Sequence, residues 1–187
     1  VVVEWDGEHV YVYRVGRWQR QRCIIDRFLR ICSYVPTGVP TPKKDILRQL
    51  LTWKREGKFS LSGYIADQSP KWENIHLWLP FLNHPETPVF TGAERIARKM
   101  NDAVYYVKMT RPRRGYYDVE YVPITDDPAS LPDGEVTRRF FKMLEQSIKE
   151  APAYYLWTHN RWKRTKEEFD RLYTVENGKV KRRADNA

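Results

Sequence analysis

Apolar residues along this chain switch between two spacings, and that switching limits the possible fold more than any other feature. Val10 to Tyr13, residues 103–109 (AVYYVKM) and residues 116–122 (YYDVEYV) are runs of β-branched and aromatic side chains, the pattern of strands. Ile46, Leu47, Leu50, Leu51 and Trp53, and again residues 135–150, set apolar groups three or four positions apart, the pattern of one-sided helices. A chain that alternates the two patterns buries helices against sheets. The predicted order is strand, helix, helix, strand, helix, strand, strand, helix, and the fold class is α/β, a mixed sheet flanked by helices.

The details follow from local signals. Asp6 and Gly7 mark a turn between Val1–Trp5 and Val10–Tyr13, so residues 1 to 15 read as a hairpin-like pair. Ile24, Ile25, Phe28, Leu29, Ile31 and Cys32 keep helical spacing among five arginines from Arg17 to Arg30, a basic amphipathic helix ending near Ser33. PTGVPTP at 36–42 breaks it, and a second helix runs from Lys43 to Glu56 with Gly57 as its cap. Phe59 to Ala66 reads as a buried strand, Gln68 to Pro88 as a long irregular segment, and Ala93 to Met100 as a helix begun through Thr91 and Gly92. The strands near 103–109 and 116–122 are joined by RPRRG, and Glu135 to Glu150 is the clearest helix. Residues 1–166 are taken as a single α/β domain and 167–187 as a polar helix or tail.

Charge and ring content narrow the partners. Lys and Arg number 33 against 24 acidic residues, a net charge of +9, which favours phospholipid headgroups, nucleic acid or an acidic protein. Seven Trp and twelve Tyr suit surfaces where one end of a ring is dry and the other wet. No apolar run approaches the roughly 18 to 20 residues of a membrane span. Cys23 and Cys32 fall on opposite faces of the same expected helix, about 13 Å apart, which excludes a disulfide between them. The opening VVVEW reads as a strand already under way, and an upstream portion is expected to be missing.

Catalytic signatures are sparse. There is no GxSxG, Walker loop, GxGxxG, CxxC or HExxH, and no spacing recommends a metal site. Five residues after His9, His76, His84 and His159 stand Arg14, Phe81, Val89 and Arg164, so no HxxxxD or HxxxxE pair is present. Asp67 follows the apolar stretch SLSGYIA, at the strand end where α/β sheets place ligands. The competing reading is that Asp67 and Gln68 cap a turn. Arg14 ends a strand of Val and Tyr and either presents a guanidinium to an anion or begins a solvated basic face. YYLWTHNRWKR, residues 154–164, interleaves rings and cations; lipid headgroups, single-stranded nucleic acid and plain packing of Tyr155, Leu156 and Trp162 all remain open.

The succession VYVYR, PKKDILRQLL, GYIADQSP, LPFLNHPETPVFTGAERIARKM, AVYYVKM and EAPAYYLWTHNRWKR resembles the lipid A biosynthesis acyltransferase family, within the lysophospholipid acyltransferase group, from about Val10 to Arg164. The resemblance implies transfer of a fatty acyl group from an acyl carrier protein or coenzyme A thioester to a hydroxyl of a lipid A precursor or related membrane lipid. It places that work on an anionic membrane surface, the cytoplasmic face of the bacterial inner membrane. No cofactor, metal or nucleic acid is implied. Asp67 and Gln68 match the family's ADQ block, and Arg14 matches its strand-ending Arg, although Val15 stands where the family usually has Pro. Asp67 and Arg14 are the expected catalytic residues; Gln68, Thr91, Gly92 and Arg95 are the expected substrate contacts, the last three through a helix start suited to anions. The family's amino-terminal anchor and HxxxxD or HxxxxE motif have no match here, so the chain as given is expected to be inactive by itself. Arg17 to Arg30 and Arg161 to Lys166 are expected to face anionic lipid. The alternatives are a non-catalytic relative that binds lipid or carrier protein and, with no motif to support it, a nucleic-acid-binding module.

Overall fold

The computed structural model describes residues 2–5, 10–13, 46–58, 62–114, 116–155, 157–176 and 178–183. The chain divides into two compact units, Val1–Ile65 and Ala66–Ala187.

In the first unit, β1 (Val2–Trp5) and β2 (Val10–Tyr13) pair antiparallel, Val2 opposite Tyr13 and Trp5 opposite Val10, as the turn signal predicts. Helix α1 (Ile46–Arg55) buries Leu50 and Trp53, three positions apart on one face, and exposes Arg48, Lys54 and Arg55. Gly57 ends it at φ +71°, where the amide of Gly57 donates to Lys54 O and that of Lys58 to Trp53 O, a Schellman close. The basic helix expected at Arg17–Ser33, both cysteines and Arg14 lie outside the described residues. Ser62 to Ala66 are not a strand. An apolar run becomes a strand only where a neighbour completes its ladder, and among the described residues none does so for Ser62 to Ala66.

The second unit is built around α3 (Glu135–Glu150), whose bounds are those the periodicity predicts. Its apolar side carries two hairpins. β3 (Leu77–Phe81) and β4 (His84–Val89) contribute Leu79, Phe81 and Val89, which pack on Phe141 and Ile148. β5 (Val104–Arg113) and β6 (Tyr116–Thr125) contribute Tyr106 and Ile124, which pack on Val136, with Phe140 beside both clusters. Edge-to-face ring contacts, Phe81 to Phe141 at 5.2 Å and Phe140 to Phe141 at 5.4 Å, knit the centre.

The β3–β4 hairpin corrects the irregular segment expected at Gln68–Pro88. Pro80, Pro85 and Pro88 hide the strand pattern, since Pro cannot donate to a ladder and is tolerated only at edges and bulges. The register indeed slips between Leu79 and Phe81, at Pro80. Leu82 and Asn83 turn the chain with φ of 49° and 65°, a two-residue turn of the twist that hairpins prefer.

Helices and sheets coexist as predicted for an α/β chain, but the strands form four two-stranded antiparallel pairs among the described residues rather than a mixed sheet. The links explain this: two residues join β3 to β4, and a parallel neighbour would need a crossover of a dozen or more. The segment read as a polar helix or tail is α4 (Lys166–Leu172) followed by β7 (Tyr173–Glu176) and β8 (Lys179–Arg182). Thr165 caps α4 by accepting from the Glu168 amide at 3.2 Å, and Phe169 and Tyr173 stack with Trp72. Among the described residues no helix is long and apolar enough to cross a membrane.

Candidate functional site

Asp67 stands in a bend just after the non-strand residues 62–66, so its place is not at a strand end. Its Oδ2 lies 3.8 Å from Nη2 of Arg161, an ion-pair distance too long for a hydrogen bond. The two partners are unequal: the Asp67 side chain is 30% exposed and that of Arg161 only 2%. The guanidinium is held between two rings, 5.4 Å from the centroid of Phe81 and 5.5 Å from that of Tyr155. Phe81 comes from the end of β3, and Tyr155 follows the short 3-10 turn Pro152–Tyr154.

The segment that delivers Arg161 is anchored on both sides. Trp162 Nε1 donates to Thr87 Oγ1 at 2.9 Å, and its ring stacks on His84 at 3.9 Å. Trp157 Nε1 donates to Pro152 O at 2.7 Å. Tyr155 and Trp162 therefore serve packing, one of the readings left open above; Leu156 lies outside the described residues. Arg161 contradicts the lipid-facing expectation for Arg161 to Lys166, because a side chain 2% exposed cannot reach a bilayer.

Among the described residues, several polar atoms here are buried and reach no partner within hydrogen-bond geometry: Tyr155 Oη, His159 Nδ1, Arg161 Nη1 and, two residues beyond Asp67, Ser69 Oγ. Such atoms are uncommon in folded chains and mark places that take a polar ligand or water. Burial pushes the Tyr155 phenol above its ordinary pKa, while the Arg161 guanidinium pulls it down. Burial likewise lowers His159, with Arg161 adding to the effect and Asp67 opposing it. The cluster thus offers a carboxylate beside a fixed cation, a neutral imidazole and a protonated phenol. It can accept a proton-bearing group at Asp67 and donate to an oxygen from Arg161 or Tyr155.

The other expected contacts take no part in the Asp67–Arg161 pair. Gln68 is exposed. Thr91 is buried at the start of α2 (Gly92–Met100), and its side chain makes no cap hydrogen bond. A Cβ on Gly92 would lie 2.5 Å from Phe90 Cε1, so a larger residue there would have to displace the Phe90 ring. Arg95 borders a shallow open cleft of about 420 Å³ with Arg98, Lys99, Ala129 and Asp133. Near it, burial lowers the pKa of His76, Arg95 adds to the effect, and Asp133 opposes it. No hydrogen bond or ion pair joins this cleft to Asp67 among the described residues.

Glu94, absent from the expected site, does the most structural work in TGAERIA. Its carboxylate is 3% exposed and accepts from the Gly134 amide at 2.8 Å, the Thr137 amide at 3.0 Å and the Thr137 hydroxyl. It therefore caps the amino end of α3, where negative charge is favoured. The signal that could have found it is the offset of one acid among basic residues on an otherwise amphipathic helix. Among the described residues no group of His, Cys, Asp and Glu gathers as a metal site.

Residues 39–164, well over half of the chain, match the family of bacterial lipid A biosynthesis acyltransferases. The chain belongs to that family. The match includes Asp67, the TGAERIA helix and the Tyr155–Arg161 cluster. No curated protein matches the chain at a significant level.

Proposed function

We propose that the complete protein moves a fatty acyl group from an acyl carrier protein or coenzyme A thioester to a hydroxyl of a lipid A precursor or a related membrane lipid, at the cytoplasmic face of the inner membrane. Family membership supports the reaction class. The observation that carries the site is the ion pair of Asp67 with the buried Arg161, both inside the family match. In this reading Asp67 borders the acceptor and orients its polar head, while the ring-held guanidinium keeps the carboxylate in one direction. Arg14 and the Thr91, Gly92 and Arg95 turn hold anionic groups of the substrates, and Gln68 contributes a polar contact beside Asp67.

Acyl transfer needs a base for the hydroxyl proton. The HxxxxD or HxxxxE pair that the family resemblance implies for this role has no counterpart in residues 1–187, so the reading assigns proton removal to a group outside them. The attack forms the ester bond, and the thiol departs with the proton.

The test is transfer of a labelled acyl chain by the complete enzyme. Asp67→Asn should reduce turnover at least a hundredfold with the fold unchanged by circular dichroism. Turnover equal to wild type would remove Asp67 from the site. The missing His–acid pair also favours one second reading, a non-catalytic relative that binds the lipid or the carrier; it is chosen if the complete protein binds either one and transfers nothing.

A further inference from the structure

The β5–β6 hairpin has one covered face and one bare face. Tyr106, Val122 and Ile124 lie against Val136, Phe140 and Met143. Neighbouring positions on a strand point the opposite way. The register sets Tyr105 opposite Pro123, Val107 opposite Tyr121 and Met109 opposite Val119 on that other face. None of these six side chains carries a charge. Tyr105 and Val107 are each 48% exposed and Tyr121 is 54% exposed. Short of the tip, the strand charges Lys108, Asp118 and Glu120 fall at the alternate positions, where Lys108 stands opposite Glu120 and reaches Glu150 Oε2 at 2.7 Å.

Character changes at the hairpin's tip. Arg111, Arg113 and Arg114 gather there, and none of them forms an ion pair among the described residues. Arg113 stacks on Tyr116 with its guanidinium carbon 3.6 Å from the ring centroid, and Arg111 lies 5.8 Å from that of Tyr154. An apolar face this continuous is rare on a chain that meets only water. Tyrosines beside arginines suit the boundary between lipid headgroups and acyl chains, with guanidinium groups on phosphate.

We infer that this hairpin lies on an anionic lipid bilayer, the Tyr105, Val107, Met109 and Tyr121 face at the headgroup boundary and the arginine tip on lipid phosphates. Charge favours lipid over a second copy of the chain, since a second copy would bring more arginine and no carboxylate on that face to meet it. The inference deepens the proposed reading, in which the acceptor resides in a membrane, by naming the element that meets it. Vesicles free of any acceptor lipid separate the two, because they report binding whether or not transfer occurs.

The full chain should co-sediment with vesicles of phosphatidylglycerol and phosphatidylcholine, lose part of that binding in high salt, and bind pure phosphatidylcholine far more weakly. Val107→Asp with Tyr121→Asp should weaken binding at least tenfold. Arg113→Gln with Arg114→Gln, at exposed tip positions that leave the core untouched, should weaken it and flatten the salt dependence. Lys179→Gln with Arg182→Gln removes the same charge elsewhere and should bind as wild type. Equal binding by the hairpin variants, or equal loss in the Lys179 and Arg182 control, would overturn the inference. So would a wild-type dimer in sedimentation velocity that Val107→Asp and Tyr121→Asp split without changing vesicle binding.

Discussion

Glu94 and Arg161 are both charged and both buried, and the surroundings of each explain what it does. Glu94 satisfies two backbone amides and a hydroxyl at the start of α3, so removing it strands donors that water cannot reach. Glu94→Ala should cost about 3 kcal/mol in urea unfolding, and a loss below about 1 kcal/mol would mean that the cap is replaced by solvent. His159 supplies a pH dependence. Burial, and then Arg161, lower its pKa in the folded chain, so the unfolded chain takes up the proton first as pH falls. Stability conferred by the neutral imidazole is present above the ordinary histidine range and is lost as pH falls through the lowered folded value. His159→Asn should flatten that part of the curve of Tm against pH; an unaltered slope would show that His159 is solvated. Its position directly after an apolar run, together with the family's ADQ block, made Asp67 a candidate. It could not reveal Arg161, whose neighbours in sequence suggested a lipid-facing patch and whose burial depends on Phe81, eighty positions away.

At the scale of elements, periodicity predicts the structure wherever a single partner surface decides it. Glu135–Glu150 and Gly92–Met100 are helices because each has one continuous apolar side, and β5 and β6 are strands because their side chains alternate. The failures share a cause. β3 and β4 are hidden by prolines that only a bulge and an edge can accept, and residues 62–66 have the pattern of a strand although among the described residues nothing completes a ladder with them. Helix α3 is the element on which both hairpins depend, and Phe141 sits at its centre, 2% exposed and edge-on to Phe81 and Phe140. Phe141→Ala should therefore cost about 3 to 5 kcal/mol. Amide exchange should accelerate in β3 and β4 together with α3; faster exchange in α3 alone would show that the hairpin is held by something else.

Across the whole molecule, two compact units meet in the chain between Ile65 and Ala66, two positions before Asp67. The site of the second unit is assembled from distant stretches, the bend at 67–68, Phe81 at the end of β3, and Tyr155 and Arg161. What the residues determine by themselves is local or additive: the helical and extended periods, the Schellman glycine at 57, the net charge, and the order of motifs that marks the family. Which polar groups are buried, which cation faces Asp67, and which face of the β5–β6 hairpin stays bare were decided only by the tertiary structure. The reason is physical, since burial and ion pairing depend on distances between side chains far apart in the chain, and periodicity carries no information about those distances until the core has closed.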